Sequence, residues 1–101
     1  MNKMSDYKVI SSKGKEIFTD VSLHPGEVIL MELDARDISQ KQFAEMIGWR
    51  TPHLNELIKG KRHVSAMLAI KLEQQLGIDA AFWLRLQMDY DLEMARRQVA
   101  A

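Results

Sequence analysis

Hydrophobic residues recur at helical spacing along most of the chain after residue 22. Leu68, Leu72 and Leu76, for example, fall on one stripe, because residues four apart lie on the same face of an α-helix. Apolar faces of this kind recur in five segments that are separated by short joints. This pattern is typical of a compact helical bundle, so the chain is predicted to be an all-α domain of five helices.

Capping residues mark the ends of the predicted helices. Ser39 and Gln42 have the spacing of a capping box for the second helix, which Gly48 ends in a left-handed turn. Thr51 is predicted to cap the third helix and Asp79 the fifth. The other boundary signals are His24–Glu27 before the first helix, Gly60 after the third, and Ser65 and Gly77 around the fourth.

The first 22 residues have a different texture. Two β-prone runs flank Ser12–Gly14, which suggests a hairpin turn. A two-stranded hairpin is only marginally stable alone, so this arm is expected to pack against the helical domain, to pair with another chain, or to stay mobile. The predicted division is a β-prone arm over residues 1–22, a helical domain over residues 23–97 and a tail over residues 98–101.

Composition narrows the class of protein. The chain has 101 residues, of which 47% are hydrophobic and 28% are charged, and it contains no cysteine. These values suit one globular domain without disulfides or thiolate metal sites, and no apolar run is long enough to cross a membrane. A cytoplasmic protein without a cofactor is expected. Because no nucleophile–base signature or phosphate-binding glycine loop is visible, an enzyme is not expected.

The charge is distributed unevenly along a chain whose formal net charge is zero. Ser39–His63 carries five basic and two acidic residues, a net charge of +3. A locally positive surface is what a polyanionic partner requires, because the phosphates respond to the local field. Taken alone, the charges are explained equally well by chance clustering on a solvated face.

The second and third helices have the layout of a helix-turn-helix. Gly48 opens a tight joint and is expected to adopt a positive φ, while Ala44 is small enough for the next helix to cross closely above it. Leu54, Leu57 and Ile58 would anchor that helix, which leaves its other face free to enter a DNA major groove about 12 Å wide.

These residues resemble a known family. Gln40, Ala44 and Gly48, followed by Leu54 and Leu57, are similar to the xenobiotic-response-element class of phage-repressor-like helix-turn-helix proteins. The stretches 24–27, 60–69 and 82–92 resemble more narrowly the HigA-type antitoxins of toxin–antitoxin modules. The resemblance implies a homodimer that binds double-stranded operator DNA, represses its own operon and neutralises a HigB-type mRNA-cleaving toxin.

The resemblance also implies roles for individual side chains. Gln40 would contact a DNA phosphate, while Asn55 would pair with adenine and Glu56 would accept a hydrogen bond from cytosine. The basic residues after the third helix would bind phosphates. The candidate DNA-binding residues are Gln40, Arg50, Thr51, Pro52, His53, Asn55, Glu56, Lys59, Lys61 and Arg62.

Other interpretations of these residues stay open at this stage. Asn55 and Glu56 are also compatible with an ordinary solvated helix face, and His53 with a surface imidazole. A metal site at His53 and His63 lacks further ligands, so no metal is predicted. Trp49 is interpreted as a turn residue that covers the edge of the core.

The fifth helix has two apolar stripes. Phe82, Trp83, Leu86, Tyr90 and Met94 form the first, and Gln87 and Asp91 lie on a polar flank between it and the second. A terminal helix buries one stripe against its own domain, so the second is interpreted as a homodimer interface, with a fully enclosed helix or a toxin-facing site as the alternatives. The candidate dimer residues are Leu84, Met88, Leu92 and Ala95.

Two further functions compete with an antitoxin. The first is a stand-alone phage-type repressor without a toxin partner, which only the neighbouring gene would distinguish. The second is a protein-interaction module whose helix-turn-helix no longer binds DNA, which the modest local charge and the acidic Glu56 keep open. A steep loss of DNA affinity with salt would argue against the interaction module.

Overall fold

The computed structural model describes residues 22–101, which form five α-helices joined by short turns. The predicted hairpin around Ser12–Gly14 lies outside the described residues. Within the described part the fold contains no strand, so the predicted all-α class is confirmed there. The helices are α1 (Pro25–Arg36), α2 (Gln40–Ile47), α3 (Thr51–Ile58), α4 (Ala66–Leu76) and α5 (Ala80–Ala100).

A histidine capping box starts α1. His24 Nδ1 accepts a hydrogen bond from the Gly26 backbone nitrogen at 2.9 Å, and the Glu27 carboxylate accepts one from the His24 backbone nitrogen at 3.3 Å. Pro25 occupies the first turn, where a missing N–H leaves no bond unmade. The predicted helix entry at His24–Glu27 is confirmed, and it places His24 inside the protein.

The predicted capping box of α2 is also confirmed. Ser39 Oγ accepts a hydrogen bond from the Gln42 backbone nitrogen at 3.1 Å, and Gln42 Oε1 accepts one from the Ser39 backbone nitrogen at 2.8 Å. Gly48 ends the helix with φ 72°, in the left-handed region that a residue without Cβ adopts most easily. Local sequence signals therefore define both ends of this helix.

Of the two other capping predictions, the one for α3 is wrong and the one for α5 is confirmed in position. Arg50, not Thr51, caps α3, because its carbonyl oxygen accepts the first two helical bonds from His53 and Leu54 at 3.0 and 3.2 Å. Asp79 does cap α5, but its carboxylate accepts no capping bond. The adjacent Ala80 backbone nitrogen instead donates to Glu73 Oε1 at 2.7 Å, so a side chain of α4 satisfies the start of α5.

All five helices contribute to the core, and most of its buried residues come from α1 to α4. Phe43, Leu54, Leu57, Leu72 and Trp83 are fully buried at its centre, and α4 and α5 pack most extensively against each other. Burying a large aromatic or branched side chain contributes about 1.5–3 kcal/mol, so each of these residues contributes substantially to the stability of the fold.

Two long cationic side chains tie the helix ends together across the fold. Arg36 donates to the Leu76 carbonyl oxygen at 2.8 Å, and Lys71 Nζ donates to the Ile47 carbonyl oxygen at 3.1 Å. Both acceptors lie in the last turn of a helix, where carbonyl groups lack helical partners and carry partial negative charge. These bonds hold α1 against the end of α4, and α4 against the end of α2.

Candidate nucleic-acid interface

The joint between α2 and α3 is tight and its backbone is hydrogen-bonded. After Gly48 the Trp49 backbone nitrogen donates to the Ala44 carbonyl oxygen at 2.8 Å. Ala44 itself is buried on α2, the helix that packs on α3, so a larger side chain there would have to displace its neighbours. The structure thus brings together the small residue and the turn glycine that the sequence analysis required.

Anchoring residues fix which face of α3 is exposed. Leu54 and Leu57 are fully buried, and the start of α1 packs so closely on the end of α3 that a Cβ on Gly26 would overlap the Leu57 carbonyl oxygen. On the opposite face Thr51 and Pro52 are exposed. The helix is therefore held on its inner side, and its outer side is free to meet a partner.

The structure places the candidate DNA-binding residues at or near this outer face. None of them is buried, since His53, Asn55, Glu56 and Gln40 are half-buried and the rest are exposed. Arg50 and Lys59 lie just before and just after α3, and Lys61 and Arg62 follow in the turn. The outer face of α3 thus has basic residues at both ends.

Gln40 and Asn55 lie side by side across the two helices. Asn55 Nδ2 donates to Gln40 Oε1 over 3.4 Å, a long hydrogen bond between residues 15 apart in sequence. The contact restricts the orientation of the Asn55 amide, and its carbonyl oxygen and second N–H group have no part in this bond. The start of α2 therefore positions a side chain of α3.

Glu56 and Arg62 form an ion pair that sequence analysis missed. Arg62 Nε donates to Glu56 Oε1 at 2.7 Å, and both side chains are nearly half exposed. This hydrogen bond holds the pKa of the Glu56 carboxyl below its usual value, so the carboxylate is charged at neutral pH. The only signal in the sequence is an acid six residues before an arginine, across a glycine.

A left-handed glycine brings this pair together. Gly60 has φ 81°, and the Lys61 backbone nitrogen donates back to the Glu56 carbonyl oxygen at 2.8 Å. The chain therefore folds over the end of α3 instead of leaving it. This turn carries Lys61 and Arg62 back beside the recognition helix.

Trp49 packs where it was expected. Its ring is half-buried against the core, and its centroid lies 6.4 Å from that of His53 in an edge-on arrangement. Such contacts between aromatic rings are weakly favourable. Trp49 thus covers the edge of the core beside the first turn of α3.

His24 lies beneath the basic turn. It is 2% exposed, its ring meets the Tyr90 ring edge-on at 4.8 Å, and a Cβ on Gly60 would lie 3.7 Å from its Cγ atom. Burial lowers the pKa of His24, because the charged imidazolium is poorly solvated there. The neutral ring thus supports both the start of α1 and the turn after α3.

Gln87 corrects the interpretation of α5. The sequence places it on a polar flank, but it is 6% exposed and its Oε1 accepts a hydrogen bond from the Val64 backbone nitrogen at 2.7 Å. Its Nε2 lies 2.9 Å from His63 Nδ1 and donates to Asp91 Oδ1 at 3.0 Å. A buried amide with these partners holds the chain that leaves the basic turn against α5.

The two stripes of α5 have different environments. On the first stripe Trp83 is fully buried and Tyr90 is half-buried, but Phe82 is 36% exposed, so the prediction that the domain buries it is wrong. The candidate dimer residues of the second stripe all remain exposed, with Leu84 at 36%, Met88 at 53% and Leu92 at 43%. Within residues 22–101, this face is an apolar strip that the helices of the domain leave uncovered.

Neither a metal-binding cluster nor a membrane-spanning helix occurs among the described residues. Among residues 22–101 no three metal-binding side chains come together. None of the five helices described has both the length and the hydropathy of a membrane span.

Two short helices, α2 and α3, cross at a glycine turn, and the outer face of α3 is exposed. This arrangement defines the helix-turn-helix class. A family model described as helix-turn-helix matches residues 29–83, more than half of the chain, so the chain belongs to this family. The chain is 38% identical over 78 residues to virulence-associated protein A' of Dichelobacter nodosus, an alignment that covers 76% of this chain and 68% of that protein.

The structural neighbours include antitoxins of the HigA family. An addiction module antidote protein of this family from Coxiella burnetii has a TM-score of 0.75 and 32% identity, covering 79% of this chain and 88% of the other. Pseudomonas aeruginosa antitoxin HigA, solved with the higBA promoter, has a TM-score of 0.72 and 33% identity over 76% and 85%. These neighbours agree with the expectation that the chain is not an enzyme.

Proposed function

We propose that this protein is the DNA-binding antitoxin of a toxin–antitoxin module. The observation that carries the proposal is the presentation of α3, whose inner face is anchored by Leu54 and Leu57 while its outer face is exposed between basic residues. An exposed helix of this kind fits a DNA major groove. The likeness to a HigA antitoxin solved with promoter DNA supports the same partner.

The candidate residues divide the work of recognition. Phosphates are bound by Lys59, Lys61, Arg62 and Arg50, which position the protein on the duplex without contacting the bases themselves. Gln40 contacts a phosphate from the first turn of α2, where the helix dipole favours an anion. The bases are contacted by Asn55, which pairs with adenine, by Glu56, which accepts from cytosine, and by Thr51, Pro52 and His53.

The protein acts as a homodimer through the second stripe of α5. Leu84, Met88, Leu92 and Ala95 form an exposed apolar strip, and covering it with a second copy removes this surface from water. Two recognition helices about 34 Å apart then read the two halves of an inverted repeat. The flexible methionine suits an interface that must adapt.

The partner protein is a HigB-type mRNA-cleaving toxin, and the antitoxin represses the operon that encodes both. The support for this partner is the likeness to antidote proteins of addiction modules. Co-purification of a tagged chain expressed from its native operon tests it. A ribonuclease of about 100 residues in a fixed ratio supports the antitoxin, whereas no partner indicates a stand-alone repressor.

DNA binding is tested on the fragment upstream of the protein's own gene and on a shuffled fragment of equal length. Fluorescence anisotropy over a salt series gives the affinity and the number of phosphates contacted. Asn55→Ala is expected to weaken promoter binding by about tenfold or more, and Lys61→Ala to weaken both fragments and to reduce the salt slope by about one. The exposed Gln74→Ala on α4 is the control. Equal wild-type affinity for both fragments would contradict sequence-specific binding.

A further inference from the structure

The backbone turn after α3 brings Glu56 and Arg62 together as an ion pair. The left-handed Gly60 and the backbone hydrogen bond from Lys61 to Glu56 fold the turn onto the end of α3. This turn brings the two side chains close enough for the 2.7 Å contact between Arg62 Nε and Glu56 Oε1. The pair lies within the candidate DNA-binding surface, where each partner has a DNA contact of its own available.

The pair changes the charge that α3 presents to a duplex. Glu56 lies at the edge of the exposed arc of the helix, four residues after Pro52, and its carboxylate repels phosphates unless a cation or a base donor compensates it. Arg62 supplies that compensation in the free protein. While the pair is closed, the two charges cancel, and the positive charge of Arg62 adds little to the attraction for DNA.

Opening the pair is favourable only when both partners find new contacts. The ion pair itself is weak, because water screens it and two long side chains lose rotamer freedom in it. It stays closed near other sequences because the Glu56 carboxylate would face the phosphates without a donor if Arg62 left it. A phosphate replaces Glu56 as the acceptor for Arg62. A cytosine amino group in the major groove replaces Arg62 as the donor to Glu56. Guanine and thymine offer no amino donor there, and the adenine amino group is better matched by an amide such as that of Asn55, which can bond adenine at two points.

We propose that Glu56 and Arg62 exchange partners on operator DNA and stay paired on other sequences. Glu56 is then a specificity-determining residue, because Arg62 reaches a phosphate only where a cytosine takes its place. This inference rests on the proposed function and adds to it a reason for an acidic residue on a DNA-binding helix. It also makes one phosphate contact conditional on the base sequence.

The test compares four proteins on the same promoter and shuffled fragments, over a salt series. In the wild type the salt slope is expected to be steeper on the promoter by about one, the value of one extra phosphate contact. Glu56→Gln is expected to raise affinity for the shuffled fragment by about threefold to tenfold and to make the two slopes equal. Arg62→Gln is expected to weaken binding to both fragments, because Glu56 loses its compensating cation, but to lower the salt slope by about one on the promoter alone.

Glu93→Gln is the matched control. It removes the same charge from an ion pair, the 3.0 Å contact between Glu93 and Arg97 on α5, and is expected to change neither affinity. A carbon-13 titration of the Glu56 carboxyl without DNA provides a second readout. The pKa of Glu56 is expected to rise in Arg62→Gln, because its hydrogen-bond donor is lost.

The outcomes separate this inference from the proposed function. If the wild type prefers the promoter but its slopes are equal on the two fragments, the exchange is refuted and the proposed function stands. The same conclusion follows if Arg62→Gln lowers the salt slope equally on both fragments, since Arg62 would then bind phosphate on any sequence. If the wild type does not prefer the promoter, the proposed function fails, and the exchange fails with it.

Discussion

Gly26→Ala is the most informative single substitution for the packing beneath the recognition helix. In an ordinary helix this change stabilises a protein by about 0.5–1 kcal/mol, because glycine loses more backbone entropy on folding. At this position the first turn of α1 meets the end of α3. A Cβ there would overlap the Leu57 carbonyl oxygen and lie 2.8 Å from the Ile58 Cα atom.

The magnitude follows from the nature of the obstacle. Overpacking against movable side chains costs about 1–3 kcal/mol, but here the three nearest atoms belong to the backbone and have no rotamer to change. α1 and α3 must separate, which loosens the core around Leu57. After the gain in helix propensity is subtracted, we expect a net loss of about 3 kcal/mol, a large part of the roughly 5–15 kcal/mol that stabilises a domain.

Chemical denaturation followed by circular dichroism measures this loss of unfolding free energy. In thermal denaturation the melting temperature is expected to fall by more than about 10 °C. Gly77→Ala is the comparison, because Gly77 has φ 73° with no atom within 4 Å of its Cβ position. It tests conformational strain alone, which costs about 1–2 kcal/mol. If Gly26→Ala were as stable as the wild type or more so, the close approach of α1 to α3 would be wrong.

Three further predictions address other parts of the molecule. Met88→Glu is expected to convert a dimer to a monomer, as measured by the mass in analytical ultracentrifugation, and to weaken promoter binding by at least about tenfold. An unchanged mass would argue against the α5 interface. Asp37→Gly should stabilise the protein by about 0.5–1 kcal/mol in denaturation, because Asp37 has φ 59°, and a loss would contradict this. Burial lowers the pKa of His24 in the folded state, so the free energy of unfolding should be highest above about pH 6.5 and fall at lower pH. Urea titrations at pH 7 and pH 5 measure this difference, which His24→Asn should reduce.

Short-range signals in the sequence were sufficient for the helices and the helix-turn-helix. The capping box of Ser39 and Gln42 and the turn at Gly48 depend on groups three or four residues apart, so the pattern contains both partners. The exposure of Thr51 and Pro52 followed from the burial of Leu54 and Leu57 on the other side of one helix. Even here the prediction for α3 was displaced by one residue, because the Arg50 carbonyl oxygen accepts the first helical bonds.

Contacts between distant segments required the folded chain. Gln87 has the polarity of a surface residue, but α5 places it opposite a backbone nitrogen 23 residues away, which needs an acceptor once it is buried. From the sequence alone, Gly26 is only a residue of low helix propensity. Its need to be glycine follows from the close packing of α3 against it. Periodicity reports which face of a helix is apolar, but which polar group another segment will bury or pair depends on how the helices cross in space.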